Sequence, residues 1–169
     1  MKINVESKRE EFKACKLEKL LYYRIYFFDD KKKTNDDHKK VNLFLFYDFG
    51  EHLGLYDHLI KQLIKSFYKA KKKLTVIIPD YPGHGKSNGT RGHLSNLDFL
   101  ALDLVDMINL FAKSEDDLLL MGKGLGALCS FKIIHSYHHL LQCRIKGSIA
   151  INPALKMKWT IPKFLQKIK

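Results

Sequence analysis

The stretch LLLMGKGLGALCSFKI, residues 118–133, sets the architecture of this chain. Leu118 to Met121 is a short continuous apolar run, as a buried parallel strand should be. Three alternate glycines (Gly122, Gly124, Gly126) follow as a turn, and Gly126 to about Tyr137 reads as a helix. A strand running through a tight turn into a helix needs a sheet to belong to, and the flanking sequence supplies one. Val41–Tyr47 (VNLFLFY) and Leu74–Ile78 (LTVII) read as buried strands, Leu20–Phe28 (LLYYRIYFF) as an aromatic-rich strand, and Gly147–Ile151 as the last. Between them, Leu55, Leu59, Ile60, Leu63, Ile64, Phe67 and Tyr68 recur at helical spacing opposite Lys61, Gln62, Lys65 and Lys69. A second helix spans Asn96 to about Lys113. Ser95 is its expected cap, Asp98 in its first turn suits the dipole, and its apolar surface is interrupted by Asp103, Asp106, Asn109 and Lys113. Strands alternating with helices predict an α/β fold, a mostly parallel sheet with helices on both faces. The expected domain spans residues 20–155, after a polar, loose segment 1–19 and before a basic tail 156–169; Asp29–Lys40 is a charged loop.

The 169 residues suffice for one domain with a real core, and 46% apolar with 28% charged residues exclude wholesale disorder. No apolar run approaches the ~20 residues of a membrane span, and the start MKINVESKREEFK has no apolar signal core. Cys15, Cys129 and Cys143 show no metal-ligand spacing, so neither a metal nor another cofactor is expected, and a reduced cytoplasmic compartment fits. Lys and Arg outnumber Asp and Glu by 30 to 18, a formal charge of +12. Such a balance suits nucleic acid, anionic lipid or plain solvated lysine; the basic-plus-aromatic motifs of RNA binders are missing, so nucleic acid is not the expected partner.

In a parallel sheet, chemistry collects in the loops after the strand ends. Three such loops stand out: YDFGEHLGLY (Tyr47–Tyr56), DYPGHGKSNGTRGH (Asp80–His93) and MGKGLGAL (Met121–Leu128). The second carries Asp80, Gly83, His84, Gly85, Ser87, Gly89, Arg91, Gly92 and His93; the first carries Gly50, Glu51, His52, Gly54 and Tyr56. Together they resemble the α/β-hydrolase superfamily, in its monoacylglycerol lipase, lysophospholipase and serine-aminopeptidase-like branch. The resemblance runs from about Leu20 to Leu155, so a truncated α/β-hydrolase fold is the expectation. It implies a serine carboxylic-ester hydrolase with a nucleophile elbow, G-x-S-x-G, at the third loop.

The elbow here is Gly122-Lys123-Gly124-Leu125-Gly126, and the nucleophile position holds Gly124. Glycine has no side chain to attack a carbonyl or carry an acyl group. The family's acid and histidine should follow in chain order, but residues 125–169 contain no Asp or Glu. His135, His138 and His139 fall on or just after the helix beyond the elbow, the wrong place for a base. The resemblance makes the backbone N–H groups of Phe49 and Leu125 the oxyanion donors, with Asp48 beside them, a carboxylate where negative charge would have to develop. Cys129 and Ser130 lie further along the helix as expected packing residues, and Ser87 is structural in the resembling family. GHGKS lacks the first glycine of a phosphate-binding loop, because residue 80 is Asp. Gly122, Gly124 and Ala127 fit a relaxed dinucleotide fingerprint, without the acidic residue that should follow roughly twenty positions on.

The tail LKMKWTIPKFLQKIK from Leu155 interleaves Trp159, Ile161, Phe164, Leu165 and Ile168 with five lysines. It reads either as the beginning of the family's cap or as a basic amphipathic segment that contacts a membrane through Trp159, Phe164 and Leu165. The sequence therefore leads to an α/β-hydrolase-like protein without catalysis, retaining lipid or protein binding at most. The alternative is part of an active serine hydrolase, with a complementary chain or oligomer supplying acid and histidine. An open sheet edge, prone to pairing, goes with either.

Overall fold

The computed structural model describes residues 5–14, 16, 19–28 and 40–155. They form a six-stranded sheet whose strands are β1 (Val5–Ala14), β2 (Lys19–Phe28), β3 (Lys40–Phe46), β4 (Lys73–Pro79), β5 (Asp117–Lys123) and β6 (Arg144–Ile151), in spatial order β1-β2-β4-β3-β5-β6. Strands β4, β3, β5 and β6 are parallel neighbours, whereas β1 pairs with β2, and β2 with β4, antiparallel. The parallel strands begin nearly level: Lys40 beside Lys73, Val41 beside Asp117, Asp117 beside Arg144. Their other ends converge on the glycine turn.

The centre of the sheet is dry. Every residue from Val41 to Phe46 in β3 is buried, so both faces are covered there. Asn42 is the polar exception, and its Nδ2 donates to the buried carboxylate of Asp116 at 2.8 Å. Helix α1 (Asp57–Lys69) follows a short 3-10 turn and buries Ile60 and Ile64 one turn apart. Helix α2 (Leu97–Phe111) buries the broad stripe Leu100, Ala101, Leu104, Val105, Met107 and Ile108. Helix α3 (Leu125–Lys132) packs on β5 and passes into a π turn (Ile133–Tyr137) and a 3-10 turn (His138–Leu140) before β6. Burying each large apolar side chain contributes about 1.5–3 kcal/mol, and the sheet's interior supplies many.

Four sequence expectations need correction. The segment read as loose forms β1, in register with β2 from Val5 opposite Phe28 to Ala14 opposite Lys19. Its charged composition suits an edge strand, where one row of backbone groups faces water. Second, the cap of α2 is Asn96, not Ser95: Asn96 Oδ1 accepts from the N–H groups of Asp98 at 2.8 Å and Phe99 at 3.1 Å. Third, α2 ends at Phe111 rather than near Lys113, and the α-helix after the elbow ends at Lys132, with Tyr137 reached through the π turn. Fourth, Asp103 is fully buried and accepts from the Lys16 N–H at 2.7 Å, tying the β1–β2 turn to α2. The charged loop 29–39 and the tail with Trp159, Phe164 and Leu165 lie outside the described residues.

Candidate functional site

Strand β5 delivers the chain to Gly124, whose backbone takes φ 52° and ψ −115° before α3 begins. This left-handed conformation costs a residue with a side chain of order 1–3 kcal/mol. The turn is bonded on three sides. Gly124 N–H donates to Ile151 O at 3.0 Å, and Gly124 O accepts from Leu128 N and Ala154 N, each at 3.3 Å. Gly126 lies so close to β3 that a Cβ would stand 2.1 Å from the Phe46 carbonyl oxygen, so the sharp turn depends on it.

The loop after β3 fills the space above Gly124. Asp48 Oδ1 accepts from two backbone donors at once, Phe49 N–H at 2.8 Å and Leu125 N–H at 2.9 Å. Those are the two groups the sequence marks as oxyanion donors. They do converge on one point, and that point is an oxygen of the protein itself. A Cβ built on Gly124 would lie 2.0 Å from Asp48 Cγ and Oδ1. The carboxylate and any side chain at position 124 compete for one volume, and here the carboxylate holds it. The same contact satisfies an N–H at the start of α3, whose cap residue, Gly124, has no side chain to do so.

Around this centre the other motif residues act on the loops. Glu51 Oε2 accepts from Asp48 N at 3.1 Å and Tyr56 Oη at 2.6 Å, and Glu51 Oε1 pairs with Lys123 Nζ. Burial works against the ionised Glu51, but the hydrogen bonds from Lys123, Tyr56 and the Asp48 backbone outweigh it and hold its carboxyl below the usual value. Lys123 is raised in turn, chiefly by its hydrogen bond to Glu51. Gly50 turns the first loop with φ 82°, and the exposed His52 accepts from Gly54 N at 3.2 Å through Nδ1.

In the second loop, buried Asp80 accepts from Tyr47 Oη at 3.0 Å, Leu53 N at 2.8 Å and Lys86 N at 2.9 Å. A Cβ on Gly85 would strike that carboxylate, and Gly83 packs against the Thr90 carbonyl. Ser87 Oγ donates to Asp80 O at 2.6 Å and accepts from Tyr22 N at 2.8 Å, which occupies its hydroxyl structurally. Arg91 donates to Gly85 O at 2.8 Å, and the backbone of exposed His93 closes a turn on Thr90. His84 is buried, its Nδ1 lies 2.9 Å from Pro82 O, and its ring meets the exposed Phe49 ring edge-on at 5.0 Å.

The family model for serine aminopeptidases, S33, matches residues 37–169. The chain belongs to that family. Its fold is the α/β-hydrolase fold, as solved structures show. A peroxisomal alpha-beta-hydrolase of Saccharomyces cerevisiae superposes with TM-score 0.66 at 15% identity, over 95% of this chain and 48% of that one. A monoacylglycerol lipase of Paleococcus ferrophilus gives TM-score 0.59 at 24% identity, with the same coverage of 95% and 48%. A carboxylesterase of the thaumarchaeon Nitrososphaera gargenis gives 0.61 at 18%, over 89% and 47%. The chain thus spans about half the length of these structures. No curated protein matches the sequence.

For a chain of the serine aminopeptidase S33 family, the remaining reactive side chains are badly placed. Cys129 is fully buried, and burial pushes its thiol up to about 12. Ser130 is buried and donates to Gly126 O at 3.0 Å. His135, His138 and His139 follow α3 away from the elbow, to the far end of the sheet. Among the described residues no group of three His, Cys, Asp or Glu side chains is arranged to hold a metal ion. Two features escaped sequence reading: Asp48 inside the donor pair and the Glu51–Lys123 bridge between loops. The signal for the first was Asp48 and Gly124 occurring together; Lys123 beside Gly124 gave only a faint signal for the second.

Proposed function

We propose that this chain is a non-catalytic α/β-hydrolase whose elbow is closed by its own carboxylate. The observation that carries this reading is Asp48 Oδ1 accepting from both Phe49 N–H and Leu125 N–H, directly over a residue without a side chain. Ester hydrolysis by this fold requires an alcohol at the elbow and two free donors for the tetrahedral oxyanion. Neither is available. One oxyanion donor is commonly worth about 3–4 kcal/mol of barrier, and a resident carboxylate also repels the developing charge. The substrate class given up is that of the branch, acylglycerol or lysophospholipid esters, and binding of lipid or protein is the role that remains. A second chain could provide an acid and a histidine, but not the hydroxyl at position 124.

The test is labelling with a fluorophosphonate serine probe, together with turnover of a short p-nitrophenyl ester. No labelled hydroxyl and no turnover are expected. Stoichiometric labelling at an identified serine, or multiple turnovers by purified protein, would overturn the reading. Gly124→Ser alone should not label, because Asp48 fills the hydroxyl's space and residues 125–169 carry no acid to complete a triad.

A further inference from the structure

The parallel strands give the molecule two chemically different ends. Asp48, Glu51 and Asp57, which begins α1, lie at the elbow end. The opposite end is basic. Lys40 and Lys73 are register neighbours where β3 and β4 begin, and Arg144 opens β6 two strands away from β3. At about 4.8 Å between strands, these starting points fall within about 15 Å. Lys69, Lys71 and Lys72, all exposed, form the turn that brings α1 into β4. Two acids at this end are engaged by the protein. Buried Asp116 accepts from Asn42 Nδ2 at 2.8 Å and Lys113 N at 3.1 Å and lies 3.9 Å from Lys40 Nζ, and Asp117 lies 3.9 Å from Lys146 Nζ, so it is Lys69, Lys71, Lys72 and Arg144 that carry the exposed charge. Glu115 is an exposed acid there, and exposed Asp106 lies on α2 one turn before Leu110.

Two leucines are exposed at the same end, Leu110 at 62% in the last turn of α2 and Leu140 at 45% in the turn before β6. Asn109 joins the two segments: its Nδ2 donates to Leu140 O and its Oδ1 accepts from Gln142 N, each at 2.9 Å. Lone exposed leucines are ordinary, but leucines on joined segments beside a basic surface match the composition of a peripheral membrane contact. Single-stranded nucleic acid would instead call for aromatic platforms, and among the described residues the exposed phenylalanines, Phe49 and Phe99, are at the elbow end.

We propose that the end of the sheet opposite the elbow docks on anionic membrane, with Lys69, Lys72 and Arg144 against lipid phosphates and Leu110 and Leu140 in the headgroup boundary. Each lysine near such a surface strengthens partitioning about fivefold. Docked this way, the elbow faces away from the lipid.

Co-sedimentation of the full chain with phosphatidylcholine vesicles, with and without phosphatidylserine, tests this. Binding should require phosphatidylserine and weaken as added salt shortens the screening length below about 10 Å. Lys69→Glu/Lys72→Glu/Arg144→Glu should lower the partition coefficient about a hundredfold or more, and Lys72→Glu alone at least about fivefold should the triple variant misfold. Leu110→Ser/Leu140→Ser should weaken binding while keeping its salt dependence. Trp159→Ser/Phe164→Ser/Leu165→Ser, in the tail, should bind as the unaltered chain does. The proposal fails if the unaltered chain ignores phosphatidylserine, if the tail variant loses binding while the basic-end variants keep it, or if a single-stranded oligonucleotide displaces the vesicles at equal charge concentration.

Discussion

At Gly124 and Asp48 two side-chain positions share one volume, so their energetics are coupled. Asp48→Ala removes the acceptor of the Phe49 and Leu125 N–H groups and should cost about 1–2 kcal/mol in urea unfolding, the range of a lost helix cap. Gly124→Ser meets a positive φ and a Cβ 2.0 Å from the Asp48 carboxylate, and should cost more. With Asp48→Gly in the same chain, part of that cost disappears, leaving an interaction energy of about 0.5–3 kcal/mol in a double-mutant cycle. Strict additivity, or a serine variant more stable than the glycine chain, would show that the two residues do not compete. The tight turn at Gly124 was legible in the sequence because Gly122 and Gly126 frame it. The position of the carboxylate was not, because whether a side chain lies beside a donor pair or within it depends on the backbone path of two loops far apart in the chain.

At the level of elements, the ends of helices and loops carry the testable electrostatics. Asn96→Ala should destabilise the protein by about 1 kcal/mol, because Asn96 Oδ1 serves two N–H groups, whereas Ser95→Ala should be close to neutral. Both residues are good caps in composition, so sequence could place the boundary but not choose between neighbours. The Glu51–Lys123 bridge gives a pH dependence. Glu51 is held below its ordinary value of 4.5, so its contribution is present above that value and lost as pH falls through the lower folded value. Lys123 is raised above 10.5, so its share is present below that value and lost as pH rises through the higher folded one. Glu51→Gln should therefore flatten the acid limb of the stability profile below about pH 4.5, and an unchanged limb would remove the bridge from the account. Strand β1 was missed for a related reason: ten residues rich in Lys and Glu carry little apolar signal, and their pairing is written in the aromatic strand next to them.

For the whole molecule, the mostly parallel core followed from apolar runs and turn glycines, while the strand order and the antiparallel edge did not. The far edge is β6, where Ile149 is 53% and Ile151 41% exposed. An apolar strand without a neighbour beyond it among the described residues is a template for pairing. Sedimentation velocity should show concentration-dependent association that Ile149→Lys/Ile151→Lys suppresses; a monomer at all concentrations would mean that something else covers this edge. The carboxylate over the elbow has a consequence in evolutionary time. The contact involves two residues, Asp48 and Gly124, so no single substitution both clears the space and fills it with a hydroxyl. Serine alone collides, and loss of the aspartate alone empties the niche without returning a nucleophile. Each single substitution should give a less stable protein than the present one, which would make the pair a ratchet: selection for stability alone would keep Asp48 and Gly124 together.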